Sequence, residues 1–167
     1  IIAILAKIKV IIVFVNIFDE QNYYIDNVNK ITVRFSEGQN YQSFYHIYVN
    51  NSATKSGGCI SLSRIKLVDL VSGFVTSNNA GALGGFLHAE SMEYFTITNY
   101  TITHNLAQYG AGIHLKRVSN SIIVSQLRSL YNIADKQGGA MYITNAANIT
   151  LDKCLYEFNK ALYQGGG

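Results

Sequence analysis

Proline and tryptophan are absent from this sequence, and only 14% of its residues are charged, well below the roughly 25% usual for globular chains. Without proline no turn can lean on a preset backbone angle. The turns fall instead to glycine and asparagine, which tolerate the left-handed backbone. The net charge of +3 comes from scattered lysine and arginine. There is no basic run to track a phosphate backbone, so nucleic acid is not an expected partner. Cysteine is scarce too: Cys59 and Cys154 are the two in the chain. No zinc-ligand spacing exists, and neither a metal nor a cofactor is expected.

What the sequence does have is a beat. Asn51, Asn78, Asn105, Asn132 and Asn159 recur at every twenty-seventh position, and Ala53, Ala80, Ala107, Ala134 and Ala161 keep the same interval two places later. A small pair follows at Gly57-Gly58, Gly84-Gly85, Ala111-Gly112, Gly138-Gly139 and Gly165-Gly166, where Ala111 is the one departure and Gly110 stands beside it. Four successive intervals without insertion or deletion mark an internal repeat.

Apolar residues recur in step. Val68, Phe95, Ile122 and Ile149 precede the asparagine by ten, and Leu70, Ile97, Val124 and Leu151 by eight. Tyr48, Val75, Ile102, Ser129 and Tyr156 precede it by three. These columns imply short strands with inward residues spaced by two. A third apolar stretch follows the glycine pair. Its inward parity stays open, since Ile60 and Leu62 fit one phase while Ile113 and Leu115 fit the other. Three short strands in each interval is the arithmetic of an all-β, parallel β-helix, or solenoid, with each strand paired to its copy one coil away.

The asparagine is expected to turn the chain in the left-handed region and to bond its equivalents on adjacent coils. Paired glycines suit a corner where backbones crowd. At a strand spacing of roughly 4.8 Å per coil, Cys59 and Cys154 would lie about 17 Å apart along the stack, too far for a disulfide. The rival solenoid is a leucine-rich repeat, whose range of periods includes this one. Its outline fits Leu151, Cys154, Tyr156, Asn159 and Ala161, but Val124, Leu127, Ser129 and Ala134 fill those places one unit earlier. The glycine pair would also fall where a helix should begin.

Residues 1–30 form a separate apolar segment and polar loop. Residues 1–18 read as a buried strand or two, as a signal or anchor remnant, or as a membrane span; Lys7 and Lys9 count against the span. Ile31, Val33 and Phe35 alternate with polar residues as a strand, and a step of one interval lays Val33 on Ile60. Repeats therefore run over 31–167 and become regular from about residue 45.

The motif of an aromatic, then Asn, Ala and Gly-Gly, read from Tyr48 through Asn51 and Ala53 to Gly57-Gly58, resembles the repeats of chlamydial polymorphic outer-membrane proteins. Gly138-Gly139-Ala140-Met141 is similar to their second motif, and similar repeats occur in large surface proteins of protists. The resemblance implies a right-handed parallel β-helix of the pectin-lyase-like class, extracellular or on the cell surface, serving as adhesin or spacer. It implies no catalytic residue. Partners would be a polysaccharide or a host or cell-surface protein, with membrane association only through residues 1–18 or segments outside this sequence.

Chemistry is sparse. Arg64-Ile65-Lys66 matches a tripeptide of polygalacturonases, which share that fold, but their companion motifs are missing. Asp69, Asp135 and Asp152 occupy different phases and cannot build a lyase's calcium cluster. A polysaccharide lyase or glycoside hydrolase is therefore the alternative reading. Lys66 with Glu93, and Glu90 with Arg117, should be neighbours on adjacent coils. His88 and His114, one position short of a full interval apart, could approach one another. Tyr109 and Tyr163 share one turn position with Lys55, Ala82 and Lys136. These two tyrosines and the two histidines are the candidate binding residues. Sequons at Asn50, Asn99 and Asn148 matter if the protein is secreted from a eukaryote.

Overall fold

All described strand pairs are parallel, each strand lying beside its copy one coil away. The computed structural model describes Ile2–Leu5, Ile11–Val15, Tyr23–Asp26, Ile31–Phe35 and residues 38–166, with side chains from Asn40 onward except Tyr45. The first four strands, β1 (Ile2–Leu5), β2 (Ile11–Val15), β3 (Tyr23–Asp26) and β4 (Ile31–Phe35), pair as β1 with β3 and β2 with β4. The polar stretch 19–30, expected as a loop, thus contains β3. Its residues 19–22 and 27–30, like 6–10 and 16–18, lie outside the described residues. Val33 pairs with Ile60, the step expected from sequence.

From there the chain winds as a solenoid. The long runs are β5 (Gly38–Val49), β7 (Ile60–Ser63), β8 (Ile65–Thr76), β10 (Leu87–Thr103), β12 (Ile113–Ser125) and β15 (Met141–Asp152). Third-side pieces β13 (Arg128–Leu130) and β16 (Leu155–Glu157) complete the later coils. A second sheet closes each coil with the short runs β6 (Ser52–Ala53), β9 (Asn79–Ala80), β11 (Leu106–Tyr109), β14 (Ile133–Gln137) and β17 (Lys160–Ala161). The described residues are all strand, bend, turn or irregular, with no helix, which removes the leucine-rich-repeat alternative.

Among the described residues, each coil from Asn50 onward bends at four left-handed residues. One is a glycine: Gly57, Gly84, Gly110, Gly138 and Gly165. The others are Arg64, Ser91, Arg117 and Asn145; Ser72, Asn99, Gln126 and Lys153; and Asn50, Ser77, His104, Tyr131 and Phe158. The last set corrects one expectation: the ladder asparagine does not turn the chain. The residue before it does, at φ of 53° to 58°, although a non-glycine side chain there costs roughly 1–2 kcal/mol.

The asparagines are instead the polar spine. The backbone N–H and Nδ2 of Asn51 both donate to Oδ1 of Asn78, at 2.8 and 2.9 Å, and Asn78, Asn105 and Asn132 repeat the arrangement onto the next asparagine. The second Nδ2 hydrogen goes to a carbonyl, Tyr48 O from Asn78 and Ile102 O from Asn132. Along Asn78, Asn105 and Asn132, each amide atom that burial strips of water thus finds a partner. Ser129, which breaks an apolar column, is satisfied by the same spine, its Oγ donating to Asn159 Oδ1 at 3.4 Å.

The glycine bends reveal a second departure. Gly110 follows Gly84 one position early, and Gly138 follows Gly110 one position late, although the asparagines never leave the regular interval. One residue is missing before Gly110, where Gln108 alone spans Asp135 and Lys136 of the next coil. One is added after Val118, where Ser119 and Asn120 lie opposite a single residue. The turn pair of this coil is accordingly Gly110-Ala111, and Gly112 stands one place past it. The slip also fixes the parity left open by the sequence. Ile60, Leu87, Ile113 and Met141 form one inward column, and Leu62, Ala89, Leu115 and Ile143 the next.

The two glycines of a pair answer different demands. Gly84 takes φ +63°, whereas a Cβ on Gly85 would collide with the carbonyl of Ala111 on the following coil. Inside, Val68, Leu70 and Val75 are fully buried together with Tyr41, Phe86, Phe95 and Tyr100. Gly73 lacks a side chain because the Tyr100 ring occupies its place. Each buried aliphatic side chain contributes about 1.5–3 kcal/mol. The alanine column packs as a small second core with Ala111. Ile149 and Leu151 continue the inward columns yet are 49% and 55% exposed, since no described coil lies beyond them. Cys59 and Cys154 are unpaired thiols, and burial pushes the Cys59 thiol up.

Candidate functional site

Residues that alternate with an inward column face outward, and on the strand after the glycine bend most are half-buried. His88 and His114 are exceptions, at 7% and 4% exposure. They stand in one outward column with Ser61 and Tyr142 on the strand after the glycine bend. The bend folds back over that strand: a Cβ on Gly84 would come within 2.7 Å of the His88 backbone nitrogen, and one on Gly110 within 2.9 Å of the His114 Cα. The slip brings the two histidines level, with Nδ1 to Nδ1 at 2.9 Å and ring centroids at 4.9 Å. At that distance one Nδ1–H donates and the other Nδ1 accepts, so the pair shares one proton.

The electrostatics keep the pair neutral. Burial first, then the Lys116 ammonium, lowers the His88 imidazole to about 4. Burial first, then His88, then Lys116 lowers His114 likewise to about 4, with Glu90 opposing. Beyond His114 the column continues as an aromatic cluster. The Tyr142 ring lies 5.5 Å from His114, Tyr109 lies 5.6 Å from Tyr142, and Lys136 Nζ stands 5.1 Å from the Tyr109 centroid.

Of the four candidates read from sequence, the structure thus brings together His88, His114 and Tyr109. It does not add Tyr163, which is 75% exposed in the last coil. Nor do the two tyrosines share a turn position: the missing residue moves Tyr109 level with Leu83 and Gln137, while Tyr163 N–H donates to Lys136 O. The interval alone does not place Tyr142 with the histidines, because it follows His114 by one position more than the beat, and only the slipped register aligns them.

A second feature was legible in principle. The left-handed residues before the ladder asparagines include His104, Tyr131 and Phe158, which stack as a ridge. Centroids are 5.2 and 4.9 Å apart and interplanar angles 16° and 8°. Tyr131 and Phe158 are 45% and 63% exposed, and Leu106 and Ile133, one place after the asparagines, flank them at 44% and 40%. The regular spacing of these aromatics was the available signal.

Charged residues collect at the second left-handed bend. Arg64, Lys66, Ser91, Glu93, Arg117 and Ser119 line an open groove of roughly 570 Å³. Arg117 Nη2 meets Glu90 Oε2 at 3.2 Å, as the spacing required; a pair this exposed contributes about 0–1 kcal/mol. Lys66 and Glu93 share the groove without an ion pair. Asp69 is half-buried and its carboxyl is raised by that burial, while Asp135 and Asp152 are exposed. Among the described residues no three of His, Cys, Asp and Glu gather to hold a metal ion. The sequon residues Asn50, Asn99 and Asn148 are exposed.

Fold and site together define a parallel β-solenoid with an asparagine spine, a buried histidine pair and an exposed aromatic ridge. No family model, curated protein or solved structure matches the chain.

Proposed function

We propose that this chain is a non-enzymatic β-helix module of the pectin-lyase-like kind, extracellular or on a cell surface, used for adhesion or as a structural spacer. The repeat's own motif residues are consumed by stacking, which leaves function to the outer faces. The ridge of His104, Tyr131 and Phe158 carries the reading. Three aromatic rings are held in left-handed backbone at a cost in stability, beside exposed Leu106 and Ile133. Large, rigid aromatic side chains of this kind anchor protein partners and pack on polysaccharides. The resemblance to chlamydial outer-membrane repeats supports the same use.

The test uses beads coated with the purified chain, presented to surfaces bearing pectin, cellulose or a monolayer of cultured cells. Wild-type beads should be retained on at least one surface. Tyr131→Ala combined with Phe158→Ala should cut retention several-fold while the far-ultraviolet circular dichroism stays β-rich. Equal retention of the variant refutes the ridge as an adhesive surface. The groove of Arg64, Lys66 and Arg117 favours the alternative, a polysaccharide lyase or glycoside hydrolase on this scaffold. Unsaturated or reducing sugars released from polyuronides, and lost on Arg64→Ala, would establish that reading in place of the first.

A further inference from the structure

We propose that His88 and His114 form a two-histidine site for a divalent copper ion, which binds between their facing Nδ1 atoms. The geometry is the first support. Metal–imidazole bonds are about 2.0–2.1 Å long, so two such bonds at a right angle hold their nitrogens about 2.9 Å apart, and a tetrahedral angle about 3.3 Å. The observed separation is 2.9 Å. A right-angled pair of nitrogen donors is the preference of square-planar or tetragonal Cu(II) rather than of tetrahedral zinc.

Preorganisation is the second support. The two rings ride on paired strands, the Gly84 and Gly110 bends press on their backbones, and the Tyr142 ring packs at a tilt against His114. Little side-chain freedom remains to be lost on binding. Both imidazoles are neutral at neutral pH and carry a nitrogen lone pair. Entry of the ion needs no redox step and no net proton release. The Nδ1–H proton of the donor ring passes through water to its own Nε2, and both Nδ1 lone pairs then form coordinate bonds. Among the described residues no third His, Cys, Asp or Glu joins the pair, so the remaining positions belong to water. Of the nearby charges, Glu90 favours a cation but is engaged by Arg117, while Lys116 opposes it. The site is independent of the adhesive reading.

The experiment adds Cu(II) alone to the metal-stripped full chain in a non-coordinating buffer at neutral pH. One equivalent should bind saturably and give an axial electron paramagnetic resonance spectrum with splitting from two nitrogens. His88→Asn and His114→Asn should each weaken binding at least tenfold and remove the two-nitrogen pattern, with circular dichroism reporting that the fold persists. A measurement on the wild type guards against variants that unfold: copper should broaden the imidazole proton resonances of His88 and His114 before those of His46 and His104. Absence of saturable binding, unchanged binding in both folded variants, or first broadening of His46 or His104 overturns the proposal and leaves the pair a hydrogen bond.

Discussion

Gly110 occupies the left-handed bend that Gly84 occupies one coil earlier, yet it arrives one position short of the regular interval. The deficit lies between Ala107 and Tyr109 and is made good after Val118. A chain bound to a strict count would be broken by any change of length here. The slipped register predicts the reverse. One serine inserted after Gln108 supplies the residue that neighbouring coils already have, and deletion of Asn120 removes one they lack. Each change should leave the urea unfolding free energy within about 1 kcal/mol of wild type. The same insertion after Asp135 has no deficit to fill and should cost several times more, because it pushes inward side chains toward the outer face.

Asn105 and Asn159 hold equivalent places, one mid-stack and one at the end. Asn105 accepts two hydrogen bonds from Asn78 and donates to Asn132 and to Thr103 O. Asn105→Ala strands several buried polar atoms, each costing about 1–3 kcal/mol, so a loss of about 3–5 kcal/mol is expected. Asn159 is only half-buried and passes no bond to a further asparagine among the described residues. Asn159→Ala should cost about 1 kcal/mol. Equal losses in chemical denaturation would refute a spine whose strength depends on burial.

Ser77 and Tyr131 share a strained backbone but not surroundings. Ser77 is exposed at φ 58°, and Ser77→Gly should stabilise by about 0.5–1 kcal/mol by removing the Cβ penalty. Tyr131 shares that penalty but stacks between His104 and Phe158, so Tyr131→Gly should gain less than Ser77→Gly or lose stability outright. A gain at Tyr131 equal to that at Ser77 would mean the ring adds nothing to the fold and is kept for its outer surface alone.

Tyr41, Tyr48 and Tyr100 crowd the interior near Ser43, with Ser43 Oγ and Tyr48 Oη 3.4 Å apart. Burial, more than any neighbouring group, raises all three phenols above their ordinary value near 10. A raised folded value gives stability that is fully present below the unfolded value and drains away as pH climbs past it. Alkaline unfolding should therefore set in above about pH 10, the ordinary tyrosine value. The last tyrosinate absorbance should appear together with loss of the β-sheet circular dichroism signal. Complete tyrosinate formation in a still-folded chain would contradict the buried cluster.

Much of this molecule was legible because a solenoid makes sequence distance into spatial distance. One fixed interval places Asn78 over Asn51 and Val68 over Tyr41, so the coil, its apolar columns, the spine and the unpaired cysteines could all be read from spacing. Side chains that depart from the beat could not. A missing residue and an added one cancel within a single coil, so the asparagine count stays blind to the slip. It is the backbone hydrogen bonds that set His88 against His114, set Tyr142 above them and place Tyr109 beside Leu83. Backbone conformation was hidden for a related reason: composition shows that left-handed residues must exist, but steric fit at each bend decides which side chain bears them. Sequence determined the period and what stacks on what. Tertiary structure decided where the period gives way, which sets the two imidazoles face to face, and which side chains take the left-handed bends that hold the aromatic ridge.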